Sequence, residues 1–235
     1  MLYLENLKDI INKEELSSNE LASNRLFASK LVKMSAKQYA FTQLKPEPYK
    51  TTLRSLLSNT FGDIVLQGFQ TEFGNNLDIG NDLKLYFSCD GIKINEDVLH
   101  IVEHKLISKD DDVNEYVINM AKNQLYLYSS LVNKCKFLKK SKFTNIVADD
   151  IDISHINKIM CTMIITTFEN VYFYTFENNI VKDVLIYYSE KAYHIKDTYM
   201  TGNWDNIKAF SDKYKEKEQT MFGGLLTLKD LKVFI

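Results

Sequence analysis

Apolar and polar residues along this chain follow two different rhythms, and each change of rhythm marks a predicted element. Through residues 1–44, Leu21, Leu26, Leu31 and Val32 recur at helical spacing, with Ser and Asn available as caps, and Pro46 and Pro48 close the stretch. Residues 50–73 read as a further helix with Leu53, Leu56, Leu57, Phe61, Ile64, Val65 and Phe69 on its apolar face, stopped by Gly74-Asn-Asn. At 83–89 (Leu-Lys-Leu-Tyr-Phe-Ser-Cys) the pattern becomes strand-like. A polar connection over 91–97, able to turn a hairpin, leads into 98–107. That run is almost continuously apolar, which predicts a central strand.

Asp110-Asp-Asp-Val then opens a long helix to about residue 133, its acids placed where the helix dipole favours them. A lysine-rich segment, 134–142, follows. Residues 159–168 form a third strong strand, and 171–176 and 181–188 follow at hairpin-like spacing around Asn178-Asn179. The tail, 192–235, is mixed and helical around 206–217. There is no internal repeat and no linker. The order predicts one α/β domain, a central mixed sheet flanked by helices, with a helical part at 1–75, a core at 83–190 and a C-terminal part at 191–235.

Composition narrows the setting. The 235 residues are 45% hydrophobic and 26% charged, an ordinary globular balance. Eight glycines and two prolines exclude collagen-like, Pro-rich and Gly/Ser-linker architectures. A formal net charge of -2 argues against a protein that coats nucleic acid through bulk positive charge. Arg25 and Arg54 are the only arginines, so nearly all positive charge is lysine. Cys89, Cys135 and Cys161 are odd in number, far apart and without Cys-x-x-Cys, which leaves a zinc ribbon unsupported and a reducing, intracellular compartment the simpler expectation. No signal-peptide pattern opens the chain, and no run of about 18 apolar residues predicts a membrane span.

The chemistry concentrates in two places. Asp90 ends one predicted strand. Glu103 and Lys105 lie two apart inside the next, so they project to the same face. Burying a carboxylate and an ammonium there is costly without a partner. If the strands pair, Asp90 lies beside Glu103. Two close carboxylates repel, and a divalent cation such as Mg²⁺ or Mn²⁺ relieves the repulsion. Lys105 would then orient or activate water, or stabilise developing negative charge. A Glu-x-Lys on an exposed edge strand is also an ordinary surface ion pair; Asp90, thirteen residues upstream, favours the chemical reading. In the long helix, Gln124 and Tyr128 share one face with Val113, Val117, Met120 and Leu131. Taken alone, that pair reads as a core tyrosine with a glutamine at the core edge.

Other features carry less. His100 and His104 fall on the face opposite Glu103 and read as packing or surface residues, and four histidines do not support a multi-histidine zinc site. There is no Walker-type Gly-rich loop and no nucleophile elbow, so no bound nucleotide is expected. Lys134, Lys136, Lys139, Lys140 and Lys142 are equally readable as a solvated loop or as phosphate contacts. Trp204 and the tyrosines from Tyr193 to Tyr199 read as packing before base stacking.

Asp90, then Glu103-His104-Lys105, then Gln124-x-x-x-Tyr128 resemble in order and spacing the PD-(D/E)XK nuclease superfamily, in its RecB-like branch. The resemblance is strongest over 83–132. Upstream, Phe27-Ala-Ser-Lys-Leu and Phe61-Gly62-Asp-Ile-Val are similar to the pattern preceding the catalytic motifs in RecB-like and phage RecE-like exonucleases. The resemblance implies a restriction-endonuclease-like core in which Asp90, Glu103 and the backbone carbonyl of His104 hold Mg²⁺ or Mn²⁺. Lys105 would activate the water, Gln124 and Tyr128 would support the site or touch nucleic acid, and Glu72, on the upstream helix, would complete it. The implied substrate is DNA, cut from ends or as single strands in recombination, repair or replication of phage or viral type, with any helicase or recombinase a separate protein. Two departures stand out. Val65-Leu66-Gln67 occupies the place where many relatives carry a histidine, and three scattered cysteines cannot bind the iron–sulfur cluster of some relatives. A catalytically silent DNA- or protein-binding relative is the alternative from another class, and a restriction-type or junction-resolving endonuclease is the third.

Overall fold

The computed structural model describes residues 25–44, 53–140, 150–219 and 222–234; the helix expected before residue 25, Pro46, Pro48 and Lys142 lie outside the described residues. Chain order is β1 (Arg25–Phe27), α1 (Ala28–Lys33), α2 (Ala36–Leu44), α3 (Leu53–Val65), β2 (Gln70–Asp78), β3 (Lys84–Asn95), β4 (Val98–Leu106), α4 (Glu115–Val132), β5 (Phe137–Lys140), β6 (Ile151–Asp152), β7 (Lys158–Thr166), β8 (Val171–Glu177), α5 (Val181–Thr201), α6 (Asp205–Gln219) and β9 (Lys232–Phe234). One mixed sheet runs β6-β5-β2-β3-β4-β7-β8-β9, with β1 added beside β3. The expected α/β class, a central sheet flanked by helices, is the observed one.

The sheet is mostly antiparallel, but β1 runs parallel to β3 and β4 parallel to β7, the latter pair joined through α4 as the crossover. In β4, Leu99, Ile101 and Val102 are all 0% exposed, so the strand is covered on both faces, as its continuous apolar run requires. Fourteen of the eighteen residues of α4 are buried, which makes it a core helix. It begins where the Asn114 side chain accepts from the Val117 amide, 3.1 Å. The three acids at 110–112 form a separate 3₁₀ turn before it, because Asp110 is engaged by the side chains of Thr167 and Asn170.

Four elements differ from expectation. Residues 25–27, within the stretch read as helix, form strand β1, with Leu26 paired to Leu85 of β3. The helix read over 50–73 stops at Val65, and residues 70–78 are strand β2, between β3 and β5. Gly74 lies mid-strand and stops nothing. A Cβ there would overlap the Phe87 carbonyl oxygen, so close backbone approach explains the glycine. The polar stretch 91–95 belongs to β3, and only Glu96-Asp97 turns the hairpin into β4. Finally, 181–188 is the start of α5 and not a strand. Val184, Tyr187, Tyr188, Lys191, Ala192 and Ile195 are its buried stripe, at helical spacing. Asn178 turns the chain off the sheet: its side chain accepts from the Ile180 amide (3.0 Å) and donates to Tyr126 O (3.1 Å) and Ser129 Oγ (2.7 Å). The Asn-Asn signal is therefore a strand-to-helix corner.

The C-terminal segment is tied to α4. Asn119 exchanges two hydrogen bonds with the Leu226 backbone, 2.8 and 2.9 Å, and the Lys122 ammonium donates to the Gly224 carbonyl. Among the described residues, no helix is long and apolar enough to cross a membrane.

Gly74→Ala forces β2 and β3 apart and is expected to lower stability by roughly 2 kcal/mol, read as a lower urea midpoint. Lys122 supplies a pH signature. Burial pulls its ammonium down to about 8, against about 10.4 in the unfolded chain. Between those values the unfolded chain holds more protons, so this group's penalty on folding fades as pH rises. Relative to wild type, Lys122→Met is therefore expected to gain more stability at pH 8 than at pH 9.5, in paired urea titrations.

Candidate active site at a fork in the sheet

Strand β3 divides one of its edges between two partners. Residues 91–95 pair with β4, from Gly91↔Val102 to Asn95↔Val98. Residues 84–86 pair with β1, from Arg25↔Lys84 to Phe27↔Tyr86. Residues 87–90 have no ladder partner on that edge. The sheet forks there, and the fork opens into a cavity of about 1080 Å³. Asp90, Glu103, Lys105, Gln124 and Tyr128 all line it, as do Glu72, Lys33 and Lys140. Its far wall comes from α3, with Ser58, Asn59, Gly62 and Asp63.

Register aligns the acids. Past Gly91↔Val102 the next opposing positions are Asp90 and Glu103. The ladder ends here, and Asp90 Oδ2 accepts from the His104 amide, 2.7 Å. On the other side of β3, Thr71 pairs with Gly91 and Phe73 with Cys89, which sets Glu72 opposite Asp90. Glu72, Asp90 and Glu103 thus stand at one level on three adjacent strands. Glu72 sits in strand β2 and not on the upstream helix assigned to it, and it holds a φ of 61°, a left-handed conformation uncommon for a non-glycine residue.

Polar atoms in this cavity are incompletely satisfied. Glu103 is 1% exposed; its Oε1 accepts from the Lys105 ammonium, and its Oε2 has no hydrogen-bond partner. Gln124 donates to the Tyr128 hydroxyl, 2.8 Å, while its Oε1 has none. Glu72 Oε2 is a third. An orphaned buried oxygen costs on the order of 1–3 kcal/mol, more when charged. Hard cations bind oxygen donors of this kind, so the residues present fit Mg²⁺ or Mn²⁺ by donor chemistry. Among the described residues no three His, Cys, Asp or Glu side chains are gathered as ligands, so the donor set would draw on amide or backbone oxygen as well. The His104 ring turns away, with Nε2 3.1 Å from Thr166 Oγ1.

Burial governs the charges. It pulls the Lys105 ammonium down to about 7, with Asp90 opposing and Lys33 adding to the shift. Lys33 is itself lowered by burial and partly restored by Asp90. The Tyr128 hydroxyl is pushed well above its usual range, first by burial and then by Asp90, so it stays protonated. Lys33 is a site cation that sequence reading did not single out. It stands two residues beyond Phe27-Ala-Ser-Lys-Leu, the segment of the β1–α1 junction, and Phe27, Ser29 and Lys33 all line the cavity. Of the five lysines at 134–142, Lys140 alone reaches the cavity among those described, its Nζ donating to Thr71 O at 2.6 Å. Lys139 faces Asp150 at 3.6 Å on the surface, Lys134 and Lys136 are exposed, and Lys142 is outside the described residues.

No protein-family model matches the sequence, and no curated protein does. Solved structures do resemble it. One, the crystal structure of SSO0001, aligns with a TM-score of 0.54 at 15% identity, covering 83% of this chain and 87% of its own. That likeness extends the α/β architecture over most of both chains.

Proposed function

We propose that this chain is a metal-dependent deoxyribonuclease that hydrolyses phosphodiester bonds, working as an exonuclease on DNA ends or single strands. One observation carries the reading: Asp90, Glu103, Lys105, Gln124 and Tyr128, picked from the sequence by order and spacing, line one open cavity that also holds orphaned carboxylate and amide oxygens. Asp90 and Glu103 would hold the ion, with the His104 carbonyl and the Gln124 amide oxygen as further donors. When bound, Mg²⁺ or Mn²⁺ supplies positive charge at the phosphoryl oxygens and makes a water more acidic.

The protein's own groups do the rest. Lys105, fixed by its ion pair with Glu103, directs a donor and a positive charge to the reacting phosphoryl group. Gln124 is oriented by the hydrogen bond it gives Tyr128, which leaves its carbonyl oxygen available. Lys33 and Lys140 supply positive charge for flanking phosphates. Three unpaired cysteine thiols suit a reducing cell interior. A recombination or repair role beside a separate helicase, recombinase or replication protein belongs to the same proposal.

Purified protein is expected to degrade linear DNA with Mg²⁺ or Mn²⁺ and to spare closed circles, and chelation by EDTA should stop it. Lys105→Ala should lower the single-turnover rate by about 100-fold or more while DNA binding in Ca²⁺ persists. Equal rates for wild type and Lys105→Ala would refute catalysis at this site and favour a silent binding module. Cutting of closed circles would favour an endonuclease.

A further inference from the structure

Lys33 lines two cavities. Beside the cavity at the fork, it borders a second one of about 510 Å³, within the range usual for small-ligand sites. The walls of the second are aromatic and polar: Tyr116, Tyr187, Tyr188 and Phe222 line it with Gln38 and Asp183. Tyr116, in the first turn of α4, lines it and is 65% exposed. Tyr187 and Tyr188 are buried, their rings packed against each other and against Phe222, so the exposed Tyr116 offers the stacking face, and the Asp183 carboxylate can accept from base edges.

We propose that this second cavity is a subsite for one unpaired nucleobase of a single-stranded polynucleotide whose backbone passes Lys33 into the first cavity. The proposal rests on the phosphodiesterase reading and adds the substrate form. Lys33 borders both chambers from the last turn of α1, which sets this residue beside a phosphate that joins the reacting position to the base. The second cavity is enclosed by α2, by α5 and by the Phe222–Gly224 segment that Lys122 anchors to α4. A base seated there is separated from its complement, as for other enzymes that take a base out of the stack. Duplex DNA would therefore have to fray before entering, while a single strand pays no unpairing cost.

The test uses the full chain in Ca²⁺, without Mg²⁺ or Mn²⁺, and single-stranded 12-nucleotide oligodeoxythymidylates carrying 2-aminopurine at one position each. Wild type is expected to bind and to change the probe's emission at one preferred position relative to the strand end. Tyr116→Ala should weaken binding by about tenfold and abolish the positional signal. Tyr199→Ala, which alters an exposed aromatic outside both cavities, should change neither. Equal binding by Tyr116→Ala and wild type, or emission changes independent of position, would overturn the subsite. Hydrolysis after adding Mg²⁺ is read separately. Hydrolysis without the positional signal sinks the subsite alone; the signal without hydrolysis by wild type sinks the phosphodiesterase reading and leaves the base pocket standing.

Discussion

A single backbone donor, the His104 amide, is answered by a side chain where an unbroken ladder would supply a carbonyl. Asp90 Oδ2 accepts from it at the point where the β3–β4 pairing ends. The exchange satisfies a donor that would otherwise be buried unpaired, at a cost of on the order of 1–3 kcal/mol. It lets β3 leave β4 and take up β1 as its next partner on the same edge. Everything else at the site follows from that departure. The cavity is the space between the diverging strands. Glu103 is the residue opposite Asp90, Lys105 is its same-face neighbour in β4, and α4 closes the space with Gln124 and Tyr128.

The cavity is expensive to maintain, and that bears on its use. A 1% exposed carboxylate with one oxygen unpaired, beside an ammonium pulled down to about 7 by burial, does not repay its desolvation as a structural element. Well-packed apolar residues of similar volume would serve stability as well or better. The strained φ at Glu72, at the same level of the sheet, adds to the cost. The net charge of -2 is consistent with a nucleic-acid substrate on this view. What matters is where the cations stand, and Lys33, Lys105 and Lys140 all border the acids.

Legibility followed pattern strength. The β3–β4–α4 unit was readable because its apolar runs are long, and Gln124 and Tyr128 were found by the four-residue spacing that puts them on one helix face. Strand β2 was not. Its sequence, Gln-Thr-Glu-Phe-Gly-Asn-Asn-Leu-Asp, is mostly polar, and its conformation is imposed by pairing with β3 and β5. Hence Glu72 was placed on the wrong kind of element. Residues 181–188 are rich in β-branched and aromatic side chains and mimic a strand. The deciding fact is the continuation of the buried stripe to Ile195. Lys33 escaped because proximity to Asp90 arises from the β1–β3 pairing, a contact across about sixty residues of chain. The lysine-rich segment was ambiguous for a different reason. Local charge density left a solvated loop and phosphate contacts equally readable, and the fold brings one of the described lysines, Lys140, to the cavity.

On this reading the level shared by Asp90 and Glu103 is a cation site. Anomalous X-ray diffraction from crystals soaked in Mn²⁺ tests it directly. One strong peak is expected in the cavity at the fork, with oxygens of both carboxylates about 2.1 Å away, and no such peak in Asp90→Asn crystals. A cavity that stays free of anomalous density at millimolar Mn²⁺, or a peak bound away from Asp90 and Glu103, would contradict it.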